Sequence, residues 1–203
     1  MDREMRQLRT IATKFETREA EGEAPHISGY FVRFGDVYQI APDMSESIAP
    51  GAFTRTLQEN PDVRALVNHD TTLVLGRTKA GTLTLREDES GLFGDVTINT
   101  KDQDALNLYE RVKRGDVDQC SFGFFIRAED YEVSPEGNYH WTIRDVDLFE
   151  VSACTFPAYE GTSISAREAQ RDEIKKRSLD AWKAKMKGVL NHGTESPDAP
   201  EKD

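Results

Sequence analysis

Three short runs hold the residue types a nucleophilic hydrolase needs: Asn68-His69-Asp70, Cys120-Ser121-Phe122-Gly123-Phe124 and Phe149-Glu150-Val151-Ser152. An imidazole beside a hydroxyl takes its proton as the oxygen attacks a carbonyl. A carboxylate behind the imidazole fixes its tautomer and stabilises the cation that forms. These roles fall to His69, Ser121 and Glu150. Their chain order (histidine, serine, acid) differs from several familiar serine-hydrolase plans.

Each residue also has a plainer reading. A lone histidine is usually structural, a serine within a strand is common, and Glu150 could pair with an arginine such as Arg77 or Arg144. Cys120 competes as the nucleophile, although alternation groups it with Phe122 and Phe124 as a small core residue. Ser152 competes with Ser121, and His140 competes with Glu150 for the third role.

Strand alternation sharpens the choice. An extended segment 63–70 places Val63, Ala65, Val67 and His69 on one face, so His69 ends an apolar row. Ser121 shares a face with Gly123 and Phe125, and the glycine leaves room for a substrate backbone. Val146, Leu148, Glu150 and Ser152 share another face, opposite Asp145, Asp147, Phe149 and Val151. A carboxylate in line with Val146 and Leu148 needs a compensating donor, and His69 is the obvious one. The four histidines are scattered without ligand spacing, so neither a metal nor another cofactor is expected.

The elements that must position these residues are mostly short strands. Segments 27–34, 63–67, 81–86, 92–98, 121–126, 139–143 and 146–155 read as strands separated by Gly, Pro, Asn and Asp. A helix follows Pro50, with Phe53, Thr56 and Leu57 at helical spacing. A second starts at Thr100 as N-cap with Gln103 three residues on, carries Ala105, Leu108, Tyr109 and Val112, and stops at Gly115. This pattern predicts a β-rich α+β fold with a closed or nearly closed β-barrel flanked by helices. Residues 1–167 form the β-rich domain. Residues 168–190 form a helical arm with Leu179, Trp182, Met186 and Val189 as its stripe. Residues 191–203 form a disordered tail.

With 203 residues, 37% of them hydrophobic, the chain can build one core with polar extensions. Its net charge of −11 argues against nucleic acid or an anionic membrane as the main partner. Two cysteines are too few for a disulfide framework. The N-terminus leads into no apolar run and no stretch is long enough for a membrane helix, so a soluble, intracellular protein is expected.

The runs Ile27-Ser28-Gly29-Tyr30, Ile48-Ala49-Pro50-Gly51-Ala52-Phe53, Asn68-His69-Asp70, Leu75-Gly76-Arg77 and Gly91-Leu92 come in an informative order. Ser121-Phe122-Gly123-Phe124, Phe149-Glu150-Val151-Ser152 and Phe156-Pro157-Ala158 complete it. Together, over roughly 8–166, they resemble the tailed-phage prohead (capsid maturation) serine proteases, which are related in fold to the herpesvirus maturational proteases. The resemblance implies a herpesvirus-protease-like barrel and an endopeptidase with His69 as base and Ser121 as nucleophile. Herpesvirus enzymes use a second histidine as third member, whereas the pattern here offers Glu150. The implied substrates are a scaffold protein, the scaffold domain of the major capsid protein, and the protease itself by autocleavage, with self-association a further option. The implied place of action is the procapsid in the host cytoplasm, from a phage or prophage. A non-catalytic assembly factor that binds scaffold through the helical arm is the competing expectation. In that reading, too, neither nucleic acid nor membrane is a partner.

Overall fold

The computed structural model describes residues 6–156 and 161–192, with side chains described for 6–156 and 167–187. Its strands are β1 (Gln7–Ala12), β2 (Glu16–Arg18), β3 (His26–Arg33), β4 (Val37–Ala41), β5 (Met44–Ile48), β6 (Arg64–Val67), β7 (Asp70–Arg77), β8 (Leu83–Asp88), β9 (Gly91–Thr97), β10 (Gln119–Val133) and β11 (Tyr139–Cys154). The helices are α1 (Thr54–Gln58), α2 (Gln103–Arg114) and α3 (Gly161–His192). The contacts divide the chain into two compact units, Asp2–Ile164 and one that begins at Ser165.

Within the first unit, seven strands form one sheet in the order β1-β10-β11-β5-β4, with β6 on β11 and β7 on β6. The other four form a second sheet, β2-β3-β9-β8. Strand β11 organises the larger sheet. Its first half pairs in parallel with β5 (Tyr139↔Met44 to Ile143↔Ile48), its second half in parallel with β6 (Glu150↔Arg64 to Ala153↔Val67). One apolar core joins residues of both sheets, among them Phe31, Leu92, Val96, Phe122, Phe124 and Val151. Phe53 and Phe122 meet edge-to-face at 6.0 Å, and Phe122 stacks on Phe124 at 4.8 Å.

No closed barrel forms among the described residues, which corrects the closed or nearly closed, herpesvirus-protease-like barrel expected above. The described residues are mostly β, in two sheets with three α-helices, and among them no pairing joins one sheet to the other. The reason is physical. Alternation marks a strand with one buried face, and two stacked sheets bury that face as well as a barrel wall does. Closure depends instead on pairing between the outer strands, a long-range choice that alternation does not encode.

Helix α2 buries Ala105, Leu108, Tyr109 and Val112 as its spacing predicts, and Gly115 ends it in the left-handed region at φ 87°. Its N-cap is Asp102, not Thr100: the Asp102 carboxylate accepts from Asp104 N and Ala105 N. Asp here captures the free N–H groups two residues later than the expected capping box. The helical unit, taken by itself, contains α3 from Ser165 on, with an i,i+4 ion pair between Arg177 and Glu173. Leu179, Trp182 and Met186 on that helix are exposed. Val189 lies outside the residues whose side chains are described, and the expected tail lies outside the described residues from 193 on.

Candidate active site

The site is built where β10 lies between β1 and β11. Cys120, Phe122 and Phe124 point into the core, and Ser121 and Gly123 point to the other face. Ser121 is opposite Ser152, and Gly123 is opposite Glu150. Between them and the next pair, Phe124↔Leu148, the register shifts by one residue. Phe149 is the extra residue of this β-bulge. A bulge inverts the alternation, so Val146 and Leu148 share the main core with Val151 and Ala153. Glu150 and Ser152 therefore face away from Val146 and Leu148, which corrects the shared face expected from strict alternation. The carboxylate is buried all the same, at 2% exposure.

His69 reaches the same face by a turn. Strands β6 and β7 are joined at Val67↔Asp70 by Asn68 and His69, at φ 50° and 61°. Positive φ at both central residues is the geometry of a tight hairpin turn, and Asn tolerates it well. The turn takes His69 out of the apolar row of Val63 and Ala65, where simple alternation had placed it. Asn68 pins the turn to β11: its N–H donates to Ala153 O at 2.9 Å, and its side-chain oxygen accepts from Thr155 N at 2.8 Å.

His69 Nδ1 meets Glu150 Oε1 at 2.9 Å. Ser152 braces this pair. Its hydroxyl donates to Glu150 Oε2 at 3.1 Å and accepts from His69 N at 3.3 Å. The Arg6 guanidinium also pairs with Glu150 Oε1. Burial works against the Glu150 charge, but the hydrogen bond from His69 and the charges of His69 and Arg6 outweigh it. Its carboxyl is held below the ordinary value. The arginine partner is therefore Arg6. Arg77 is bound to Asp62 and Arg144 to Asp130.

Ser121 is fully buried, and its Oγ has no hydrogen-bond partner. On the far side of the imidazole, Nε2 lies 3.9 Å from Cys154 Sγ. Burial, with the Glu150 charge adding to it, pushes that thiol up to about 12, so Cys154 is protonated and a poor nucleophile. Cys120 is excluded similarly: it is fully buried, its Sγ–H donates to Tyr30 O at 3.3 Å, and burial raises its thiol well above the usual value. His140 bonds to Ser45 Oγ and Ser47 Oγ, both at 2.9 Å. It stands ten residues from Glu150 along β11, roughly 30 Å of extended strand. It is no candidate for the third role.

The space over Gly123 is filled, which corrects the opening for a substrate backbone expected above. A Cβ there would lie 2.6 Å from Glu150 Cγ and 2.7 Å from the Phe149 ring. The glycine makes room for the carboxylate itself. A second imidazole–carboxylate contact exists, His26 Nδ1 to Asp95 Oδ1 at 2.5 Å. It sits on the smaller sheet with a 29% exposed carboxylate, the setting of a solvated ion pair. Among the described residues no group of three or more His, Cys, Asp or Glu could hold a metal ion. Sequence reasoning missed Arg6, since an arginine outside every strand pattern carries no local signal of its partner.

A carboxylate–imidazole pair beside a strand serine is the equipment of a serine protease, and known proteins give the same class. The family model of the caudovirus prohead serine proteases matches residues 13–177, a span that holds His69, Ser121 and Glu150. The prohead protease of Enterobacteria phage HK97 is 30% identical over 156 residues, covering 76% of this chain and 67% of that protein. The solved capsid assembly protease of bacteriophage T4 matches with a TM-score of 0.51 at 11% identity, over 75% of this chain and 98% of that one, which shows a common fold. The chain belongs to the caudovirus prohead serine protease family and is a serine protease with a role in capsid maturation.

Proposed function

We propose that this chain is the endopeptidase that cuts scaffold or capsid-protein segments, and itself, inside the procapsid in the host cytoplasm. Ser121 is the nucleophile, His69 the general base and Glu150 the residue that orients the base. The observation that carries the reading is the 2.9 Å contact between His69 Nδ1 and the buried Glu150 carboxylate.

With its Nδ1 proton donated to Glu150, the neutral ring keeps the Nε2 lone pair for the Ser121 proton. The Ser121 hydroxyl has no competing partner to break. It lies on the strand next to Ser152, which already bonds both other members. Attack by Oγ on a peptide carbonyl transfers the hydroxyl proton to Nε2, and the imidazolium returns it to the leaving amine. Catalytic contacts that are loose without substrate tighten in the complex. Self-cleavage is expected in the segment after Ala166, because exposed chain ends are preferred cutting sites.

The test is co-expression of wild type or Ser121→Ala with the cognate scaffold-bearing capsid protein. Wild type should convert the scaffold to fragments and fall below its full 22.9 kDa. Ser121→Ala should leave both chains whole while melting at the wild-type temperature. Scaffold cleavage by Ser121→Ala at the wild-type rate would remove Ser121 from the mechanism.

A further inference from the structure

Arg6 stands one residue before β1, and its guanidinium pairs with Glu150 Oε1, the same oxygen that meets His69 Nδ1. The register explains the reach. Gln7 is opposite Phe124 and Leu8 opposite Gly123, so a side chain from this end of β1 must pass β10 to arrive at β11. The guanidinium also stacks over the Phe149 ring at 4.8 Å from its centroid. One arginine thus holds both the extra residue of the bulge and the carboxylate that the bulge turns toward His69.

We propose that Arg6 is a positioning residue of the catalytic pair. It locks the Glu150 carboxylate toward His69. The inference rests on the Ser121–His69–Glu150 reading above. A guanidinium does not give up its proton, so its own charge does not lapse with pH.

Other charged or titratable groups near the pair are already occupied. Cys154 on β11 carries a protonated thiol. Arg64, the Glu150 partner on β6, bonds to Asp62 O and Oδ2. Asp70, which opens β7, accepts from Thr72 N at 2.8 Å and Thr72 Oγ1 at 2.6 Å. The neighbours on β10, Ser121 and Gly123, are uncharged. Arg6 is half-exposed, with 42% of its side chain accessible, so it can be replaced without opening the core.

The experiment compares kcat and KM for wild type, Arg6→Gln and Arg6→Lys, using the purified scaffold domain as substrate, with thermal melts alongside. Arg6→Gln should lower kcat by at least about tenfold with KM unchanged, as a misplaced catalytic group does, while Arg6→Lys recovers most of the wild-type kcat. A wild-type kcat in Arg6→Gln, or the same loss in Arg6→Lys, would overturn the proposal. Should Arg6→Gln melt markedly lower, Arg6→Met, which keeps an apolar stem against Phe149, gives the same reading of kcat. Ser121→Ala separates the two inferences. If that variant still cleaves, the triad reading falls; if it is inert and kcat is unchanged in Arg6→Gln, the role of Arg6 alone falls.

Discussion

Glu150 accepts from His69, Ser152 and Arg6 while buried from water, so its charge is where activity and stability meet. Replacing it by glutamine keeps the shape but removes the charge that fixes the imidazole. Glu150→Gln should lower kcat by roughly 10³- to 10⁴-fold, the scale seen when a triad acid becomes an amide, as steady-state cleavage assays will read. The same residue carries a stability signature. Its carboxyl is lowered in the folded state, so its contribution is present above the unfolded value of about 4.3. That contribution is lost as pH falls through the folded value. The stability gap between wild type and Glu150→Gln in urea unfolding should therefore shrink as pH falls below about 4.3. A gap that widens on acidification would contradict the ion pairing. At this scale the sequence offered an imidazole, a hydroxyl and a carboxylate, each with a structural alternative, and their order singled out His69, Ser121 and Glu150 as candidates. Nothing singled out Arg6, because a partner 144 positions away leaves no local trace.

Two small elements bring these residues together, and each breaks the rule by which a strand is read. The Asn68-His69 turn uses positive φ to swing the ring off the apolar row, and the bulge at Phe149 moves Glu150 to the opposite face from Leu148. Strict period-two reading placed both residues on the wrong face. It still paired them, because both errors have the same sign. Gly123 is the third local device. Gly123→Ala forces a Cβ to 2.6 Å from Glu150 Cγ and 2.7 Å from the Phe149 ring. Such overpacking typically costs about 1–3 kcal/mol, and here the displaced group is the carboxylate proposed to orient His69. The variant should melt lower and lose at least about tenfold in kcat/KM, as a 1 Å misplacement in a site costs more than that. Full activity with a normal melt would show that Glu150 does not need the space above Gly123. The strands 27–34 and 92–98 were legible within a residue or two. Strands β4, β5 and β7 were not: β5 alternates but buries the charged Glu46 in its inward row, β4 exposes Val37, and β7 opens on three exposed polar residues.

Across the whole larger sheet, the buried ion pair of Arg9 on β1 with Glu46 on β5 spans the two intervening strands, β10 and β11. Removing one partner of a buried pair is costly. Glu46→Ala should destabilise by about 3–5 kcal/mol in urea unfolding. Replacing both residues by apolar side chains of similar volume should recover most of that loss. A double variant as unstable as the single one would mean that the pair is held by more than its charges. The smaller sheet, the larger one and α2 close on a single core, yet none of that stacking is written in any one segment. Period-two alternation, a helical stripe and the order of His69, Ser121 and Glu150 are local properties, and they were enough to specify β-rich architecture, helix α2 and the chemistry of a serine protease. Two open sheets in place of a barrel, the inversion at Phe149 and the arrival of Arg6 on Glu150 depend on which strands pair and in what register. Those choices are made by contacts between residues far apart in the chain, so only the folded molecule decides them.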